Sequence, residues 1–333
     1  MVNRNHNLNG KLSTIMKFGI VSLGNHAMTK VIPAIRSQGH EISAIFSTDK
    51  TKGERVSEDL GAEYVPDLRK MSLVNIDAVY ISSPNSLHFS HAKTFLEEGK
   101  SVLLEKPATL KVEEIEELTE IAERKGVRFA IGFHLRFHPS VESVRKSISS
   151  GEIGKVLYVF GKWTYNSPRR GDTSWKSNPE MAGGGSIVGT GVHVMDSFVN
   201  LFGKNINNVF AVSSPKCKII DETVHATFNF SSGTIVDCIS SRLMSDNYND
   251  MLIVGDKGSI RVTNFYSTSV NSELYLNGIL KGRFEGGDMY SEEVNAFSKG
   301  DARIAGGEEG IISTKLLLAV QRSACKEEKV PLD

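Results

Sequence analysis

The first half of the chain alternates short apolar runs with amphipathic stretches. The stretch KVEEIEELTEIAERK places Val112, Ile115, Leu118 and Ile121 on one face at the helical period. Strands that alternate with helices predict a parallel sheet covered on both faces, so we predict a Rossmann-type, doubly wound domain at 16–135. The predicted strands are 17–22, 41–46, 77–82, 101–105 and 127–132, and the predicted helices are 26–38, 51–60, 87–98 and 111–125.

After residue 150 the pattern changes to β-branched and aromatic runs joined by turn sequences such as FSSGTI and GDKGS. Consecutive strands joined by tight turns indicate antiparallel pairing. The second domain, 136–333, is therefore predicted to be α+β with a large, mainly antiparallel open sheet, and residues 1–15 to be a disordered leader. The predicted elements are strands at 155–166, 208–213, 223–230, 234–243, 251–255 and 259–265 and a helix at 308–326.

Composition narrows the class of protein. Lys plus Arg and Asp plus Glu both total 39 in 333 residues, so no net charge favours nucleic acid or an anionic membrane as a partner. No apolar run approaches the roughly 18 residues that a membrane-spanning helix needs. Cys217, Cys238 and Cys325 are odd in number and scattered, which argues against a disulfide framework and a structural zinc site. We expect a soluble, cytoplasmic protein.

The first strand runs into the turn SLGNHA at 22–27 and then into a helix. This is the dinucleotide-binding fingerprint with Ser22 at the first glycine position and Ala27 at the third. Such a turn lets a pyrophosphate approach the backbone closely at a helix N-terminus, and Gly24 meets that need. The alternative is an ordinary strand–helix turn, which also favours a glycine.

The second strand ends in hydroxyl groups rather than in an acid. Ser47 and Thr48 stand where an NAD-binding site usually has a carboxylate for the ribose, and Asp49 comes later. Lys50 and Lys52 follow, and hydroxyls with cations suit a 2′-phosphate. We therefore expect NADP in preference to NAD.

Two further strand ends carry polar groups. The third strand ends in Ser-Pro-Asn at 83–85, and the fourth delivers Glu-Lys-Pro at 105–107. Ligands in this fold bind beyond the carboxyl ends of the strands, so both tripeptides are predicted to lie near a cofactor. A lysine there can hydrogen-bond a substrate hydroxyl.

These stretches together resemble the Gfo/Idh/MocA family of sugar and polyol oxidoreductases, from about residue 16 to near the end of the chain. The resemblance rests on DAVYISSPNSLHFSHA, on Glu-Lys-Pro at 105–107, on GVRFAIGFHLRFHPS at 126–140 and on WKSNPEMAGGG at 175–185. It implies that Lys106 is the active-site lysine and His193 the catalytic histidine. A histidine, with an unperturbed pKa of about 6.5, can accept the hydroxyl proton while Lys106 stabilises alkoxide charge.

The predicted site residues fall into two sets. The cofactor-binding set is Ser22, Gly24, Asn25, His26, Ala27, Ser47, Thr48, Ser83, Pro84, Asn85, His88, Glu105, Lys106 and Arg136. The substrate-binding set is Lys106, Tyr165, Trp175, Lys176, Gly189 and His193.

The run GGGSIVGTGVHVMD at 183–196 departs from the family pattern. Gly189 stands four residues before His193, where the resemblance implies an aspartate. Asp196 approaches the same face of the helix, and whether it replaces that acid is left open. We expect no metal on His193 and Asp196, because no third ligand has suitable spacing. Trp163, Tyr165 and Arg169 form either a wall for a sugar or ordinary packing.

The resulting hypothesis is an NAD(P)-dependent oxidoreductase that acts on a monosaccharide, sugar derivative or polyol, with NADP preferred. The alternatives are a keto-sugar reductase, a redox-assisted glycosidase of the same family, and a non-catalytic sensor that keeps the fold. His134 and His138 contact either a ligand or the seam between domains. The open sheet predicts a homodimer or homotetramer.

Overall fold

The computed structural model of the protein describes residues 4–6, 12–167, 173–245 and 248–332. The chain forms two compact units. One consists of Met1–His134 with Tyr290–Ile311, and the other of Leu135–Met289 with Ile312–Asp333. In the described part of the chain, no helix is both long enough and apolar enough to span a bilayer.

The predicted leader, residues 1–15, falls largely outside the described residues. Its described part contains two short strands, β1 (Arg4–His6) and β2 (Leu12–Thr14), which pair antiparallel.

The first unit is built on a parallel sheet, as predicted. Its strands are β3 (Lys17–Val21), β4 (Glu41–Phe46), β5 (Glu63–Tyr64), β6 (Ala78–Ile81), β7 (Ser101–Glu105) and β8 (Phe129–Gly132). Its helices are a π-helical turn (Ala27–Val31) continuing as α1 (Ile32–Ser37), α2 (Lys50–Leu60), α3 (Leu68–Ser72), a 3₁₀ turn (Asn85–Leu87), α4 (His88–Glu97) and α5 (Val112–Lys125). The strand order β5-β4-β3-β6-β7-β8 reverses direction at β3, as in doubly wound folds. Helix α5 buries Ile115, Leu118 and Ile121, the face that its periodicity predicts.

The second unit is built on a nine-stranded sheet in the order β16-β15-β14-β13-β9-β12-β11-β10-β17. Its strands are β9 (Val156–Thr164), β10 (Ile206–Ser214), β11 (Thr223–Phe230), β12 (Ile235–Ser241), β13 (Met251–Gly255), β14 (Ser259–Val262), β15 (Asn271–Leu276), β16 (Ile279–Glu285) and β17 (Val330–Pro331). Its helices are α6 (Ser140–Ser149), a 3₁₀ turn (Trp175–Ser177), α7 (Pro179–Ala182) and a π-helical turn (Ile187–Gly191) continuing as α8 (Val192–Phe202). The 3₁₀ turn His134–Phe137 links the units, and the chain closes with α9 (Met289–Lys299) and α10 (Gly307–Lys326). Among the described residues of this sheet, only β9 and β12 pair in parallel, which confirms a mainly antiparallel sheet.

The segment 290–311 belongs to the first unit. The sequence prediction, with a single domain boundary near residue 135, assigns this segment to the second domain instead. On α9, Tyr290, Val294 and Phe297 follow the helical period and are buried in the hydrophobic core of the first unit. The ring of Phe297 lies 6.1 Å from that of Phe18 on β3. The apolar periodicity of α9 predicts that the helix packs against a hydrophobic core, but it does not predict which of the two units supplies that core.

The hairpin of β15 and β16 is absent from the sequence prediction, although its signal is present. Asn277 and Gly278 form its turn with φ values of 53° and 76°. Positive φ at both central residues is the requirement of a type I′ hairpin turn, and Asn-Gly is the pair that meets it best.

The prediction that the cysteines form no disulfide is wrong. Cys217, in the connection between β10 and β11, is bonded to Cys325 near the end of α10, 108 residues later. Their Cα atoms lie 4.2 Å apart. Nearby on α10, the Ser323 hydroxyl accepts a hydrogen bond of 2.8 Å from the Ala211 amide of β10, which holds the helix against the sheet. Cys238 is a buried free thiol. Spacing in the sequence could not reveal this pair, since packing brings its members together.

We predict that reduction of Cys217–Cys325 destabilises the second unit, because the bond removes loop-closure entropy from the unfolded chain. Unfolding in urea with and without reductant should show a loss of about 2–4 kcal/mol on reduction. The double variant Cys217→Ser/Cys325→Ser is the control, and its unfolding should not respond to reductant. Equal stability of the oxidised wild type and this double variant would contradict the prediction.

Candidate active site

The turn after β3 has a backbone shaped for glycine and an open space in front of it. Ser22 has a φ of 78°, in the left-handed region that favours glycine. Gly24 is different, since its φ is not in that region and an added Cβ would meet no atom within 4 Å. Neither the backbone nor packing therefore requires glycine at position 24. A group from outside the chain that approaches the backbone closely, such as a pyrophosphate, would require it.

The residues that follow Gly24 begin the helix. Asn25 is exposed, and its carbonyl accepts a hydrogen bond of 2.8 Å from the Thr29 hydroxyl. Ala27 is fully buried, as close packing of the helix on the sheet requires. His26 is partly exposed and faces the end of β7.

At the end of β7, the Glu105 carboxylate joins several parts of the first unit. Its Oε1 accepts a hydrogen bond of 2.9 Å from the Tyr80 hydroxyl and lies 3.3 Å from Nε2 of His26. Burial by itself raises the pKa of Glu105, but the charges of His26 and Lys106 and the hydrogen bonds from His26 and Tyr80 lower it to about 2. The carboxylate is thus ionised at neutral pH, directly before Lys106 in the chain. The turn and Lys106 belong to one charged cluster.

His88 holds two strand ends together. Its Nδ1 lies 2.8 Å from the Pro107 carbonyl oxygen, and its Nε2 lies 2.9 Å from that of Ser83. Burial lowers its pKa, so the ring is neutral and one of its nitrogens donates. With both nitrogens engaged and 1% of the residue exposed, His88 holds together the segments that follow β6 and β7, and its contact with a cofactor stays a prediction. Nearby Asn85 is buried, directly after Pro84.

The polar side chains after the end of β4, near the predicted ribose site, hydrogen-bond other parts of the chain. Asp49 is the N-cap of α2 and accepts a hydrogen bond of 3.0 Å from the Lys52 amide. The Lys52 ammonium donates to the Leu23 carbonyl in the turn after β3, at 2.6 Å. Ser47 is buried and accepts from the Asp49 amide, whereas Thr48 is exposed. A cation, rather than a free carboxylate, therefore lies beside the turn.

Two buried histidines have structural partners. In the first unit, His134 stacks on Tyr290 with ring centroids 4.5 Å apart, and burial followed by the charge of His26 lowers its pKa to about 3. In the second unit, Nδ1 of His138 accepts a hydrogen bond of 3.2 Å from the Ser140 amide at the start of α6. Burial lowers the pKa of His138 to about 4. Both rings are neutral at neutral pH.

In the second unit, a buried carboxylate organises the start of the helix that carries His193. Asp221 accepts hydrogen bonds from the amides of Gly185 and Ile187, at 2.9 and 3.0 Å, and from the Ser186 hydroxyl. A Cβ at Gly185 would overlap the Asp221 carbonyl, so the close approach requires glycine. Sequence reasoning did not identify Asp221, because nothing in its neighbourhood resembles a cap for a helix more than 30 residues away.

His193 lies on α8, buried against the last residues of β9. Its ring centroid lies 5.3 Å from that of Trp163. Four residues earlier, a Cβ at Gly189 would lie 3.6 Å from the Tyr165 hydroxyl. The structure thus brings His193, Gly189 and Tyr165 together within the second unit, with Trp163 as their packing partner.

Asp196 and Arg136 form a buried ion pair in the second unit. Nε of Arg136 donates to both carboxylate oxygens of Asp196, at 3.1 and 2.9 Å, and Nη2 donates to Oδ1 at 2.6 Å. Breaking such a pair leaves an uncompensated buried charge. Arg136 was predicted to bind the cofactor, which stays a prediction; in this structure its guanidinium binds the Asp196 carboxylate. Asp196 is engaged in this ion pair on α8, three residues after His193.

The remaining predicted residues lie on the segment before the glycine run. Trp175 is half-buried on its 3₁₀ turn, and the Lys176 ammonium lies 5.8 Å from the Trp175 ring centroid. Arg169 lies outside the described residues. Among the described residues, no group of three or more His, Cys, Asp or Glu side chains is placed to hold a metal ion.

Comparison with known proteins agrees with this fold and these motifs. The NAD-binding Rossmann fold of the Gfo/Idh/MocA oxidoreductase family matches residues 16–133, and the C-terminal domain of that family matches residues 141–261. D-xylose 1-dehydrogenase (NADP(+)) 2 of Haloferax volcanii is 27% identical over 330 residues, covering 96% of this chain and 100% of that protein. D-glucoside 3-dehydrogenase of Escherichia coli is 25% identical, covering 88% and 90% respectively.

A solved structure has the same fold. The aldose-aldose oxidoreductase of Caulobacter crescentus, crystallised with glycerol, superposes with a TM-score of 0.86 at 22% identity, covering 96% of this chain and 100% of that one. Both domains of the family are therefore present in their usual order, and the chain belongs to the Gfo/Idh/MocA family of oxidoreductases.

Proposed function

We propose that the protein is an NADP-preferring dehydrogenase of aldose-type sugars, with Lys106 and His193 as its catalytic residues. The observation that carries this proposal is the charged cluster at the end of β7. There Glu105 lies 3.3 Å from His26 of the dinucleotide turn and directly precedes Lys106. A lysine fixed beside a cofactor turn is placed to act on the group that exchanges hydride with the cofactor. The relatives named for xylose and glucoside oxidation support a sugar as that group.

Lys106 and His193 have separate roles in the proposed reaction. NADP⁺, when bound, supplies the acceptor for the hydride that leaves the carbinol carbon with its electron pair. Lys106 donates a hydrogen bond to the substrate oxygen and stabilises its developing negative charge. His193 accepts the hydroxyl proton, so that the C–OH group becomes a carbonyl. Its burial against Trp163 fixes the ring orientation.

The surroundings of β4 support NADP over NAD. Asp49 is engaged as a helix cap, and the Lys52 ammonium lies 2.6 Å from the Leu23 carbonyl of the turn. A 2′-phosphate adds negative charge, which a nearby ammonium stabilises and a free carboxylate would repel. The NADP(+) in the name of the Haloferax volcanii relative agrees with this preference.

We further propose that two copies of the chain associate through the open face of the second unit's sheet. Gly161 of β9 faces α8, since its Cβ would lie 2.8 Å from Phe198. The register of the sheet places Ala211 in the same row, so neighbouring Phe210 and Val212 point to the opposite face. These two side chains are 37% and 42% exposed, which is unusual for apolar residues in the middle of a strand. A second copy would cover them by twofold symmetry.

The first prediction concerns the catalytic pair. Purified protein should reduce NADP⁺ when given an aldose, followed by absorbance of the reduced cofactor across a panel of aldoses, sugar acids and polyols. Lys106→Ala and His193→Ala should each lower kcat by at least about a hundredfold, because each removes a group that acts in the transition state. Lys111→Ala, an exposed lysine five residues later, is the control. Cofactor binding without turnover of any sugar, in either direction, would instead indicate a sensor.

The second prediction concerns cofactor choice. Lys52→Ala should raise the Kd for NADP⁺ about tenfold, the value of a charge-assisted hydrogen bond, and leave the Kd for NAD⁺ nearly unchanged. Calorimetric titration with each cofactor measures both constants, and Lys125→Ala, at an exposed helix end, serves as the control. Equal weakening of both cofactors would contradict a role for Lys52 at the 2′-phosphate.

The third prediction concerns the open sheet face. Light scattering should show at least a dimer, and Phe210→Glu/Val212→Glu should shift the protein to monomer, because it places two charges in an apolar interface. Leu73→Glu introduces a charge at an apolar residue of the first unit that is 71% exposed, and should leave the assembly intact. A monomeric wild type, or an assembly unchanged by the double variant, would refute this interface.

A further inference from the structure

Gly189 is a glycine that the fold itself does not require. Its φ is outside the left-handed region, and an added Cβ would make one ordinary contact, at 3.6 Å, with the Tyr165 hydroxyl. Its neighbours in the run differ. Gly183 has a φ of 68°, and a Cβ at Gly185 or Gly191 would collide with surrounding atoms. Gly189 is also the only residue between positions 184 and 199 that is partly exposed rather than buried. Among the described residues, neither the backbone nor packing therefore requires a glycine at this position.

The Tyr165 hydroxyl lies over Gly189, and Trp163 packs against His193. Tyr165 directly follows the end of β9, two residues after Trp163. Gly189 lies in the π-helical turn that continues as α8, four residues before His193. The two contacts therefore place the phenol hydroxyl about one helical turn from the histidine.

Trp163 and Tyr165 also border a pocket of a size that suits a monosaccharide. Trp163 and Tyr165 line a pocket of about 500 Å³ together with Asn166, Asn249, Ser267 and Thr268. Small-molecule sites commonly have volumes of about 300–1,000 Å³ and combine aromatic walls with a few polar groups. The polar groups here are hydroxyls and amides, which suit a neutral polyhydroxy ligand. Tyr165 is half-buried, and its hydroxyl lies 3.6 Å from the position of a Cβ on Gly189.

We propose that the Tyr165 hydroxyl hydrogen-bonds the substrate hydroxyl on the carbon next to the one that is oxidised, beside His193. This inference rests on the proposed function. A phenol hydroxyl both donates and accepts, so it can bind that neighbouring hydroxyl without carrying a charge. Gly189 keeps the approach to the phenol free. Tyr165 is thereby a specificity-determining residue that favours vicinal diols over deoxy sugars.

The proposal predicts how an aspartate at position 189 would change the activity. An aspartate there would reach the Tyr165 hydroxyl, because its Cβ would already lie 3.6 Å from that oxygen. The carboxylate would accept the phenol's hydrogen bond and withdraw it from the substrate. Gly189→Asp should therefore lower activity in the presence of Tyr165. In a Tyr165→Phe background, the same aspartate meets no phenol and is available to the substrate, so it should restore activity.

The experiment measures kcat and KM for D-xylose and its 2-deoxy analogue with wild type, Tyr165→Phe, Gly189→Asp and the double variant. Tyr165→Phe keeps the ring and should lower kcat/KM for D-xylose about three- to tenfold, the value of one neutral hydrogen bond. It should leave kcat/KM for the 2-deoxy analogue unchanged, since that sugar lacks the partner hydroxyl. Tyr275→Phe, on β15, is the control for loss of a tyrosine hydroxyl, and thermal unfolding verifies that each variant folds.

Calorimetric binding of both sugars in the presence of NADPH, which allows no oxidation, separates this inference from the proposed function. A wild type that binds D-xylose without oxidising it overturns the proposed function, while its affinity relative to Tyr165→Phe still tests the hydrogen bond. Equal effects of Tyr165→Phe on the two sugars, or no effect on either, would overturn the inference. The absence of sugar binding by the wild type would overturn both.

Discussion

The first unit depends on one buried carboxylate that remains charged. Glu105 ends β7, yet it accepts a hydrogen bond from Tyr80 of β6 and lies beside His26 of the turn after β3. A carboxylate whose side chain is only 12% exposed is tolerated because positive groups and donors surround it, and these lower its pKa to about 2. Three consecutive strands of the sheet are thereby fixed at their carboxyl ends by one side chain. Because Lys106 directly follows Glu105 in the chain, these contacts also fix the position of its backbone.

The second unit fixes its helix by the same principle at two points. Asp221 holds the amides at the start of the π-helical turn, and Asp196 on α8 is bound to Arg136. His193 lies between these two attachments, with Trp163 against its ring. A π-helical turn leaves backbone groups in an irregular pattern and occurs often at functional sites. The two carboxylates explain how such a turn is held rigidly enough to orient an imidazole.

Local patterns predicted most of the architecture, and long-range contacts account for most of what was missed. Alternating strands and helices identified the parallel sheet, since the apolar residues of each strand indicate that the strand is buried. The return of Tyr290, Val294 and Phe297 to the first core, the Cys217–Cys325 bond and the Asp221 cap join residues that are distant in the chain. Arg136 and His88 occur in recognisable motifs, but the motifs did not predict their hydrogen-bond partners, which are Asp196 for the arginine and the carbonyls of Ser83 and Pro107 for the histidine. The motifs did locate the strand ends and the helix where the candidate residues lie.

The helix α9 has a consequence for how the chain is made. Its three buried side chains belong to a core whose last strand, β8, ends at Gly132, more than 150 residues earlier in the chain. During synthesis, the strands of the parallel sheet are therefore made well before the helix that completes their core. Strands β9 to β16 of the second unit are made between them. The last core residues of the first unit thus become available only after most of the second unit's sheet has been synthesised.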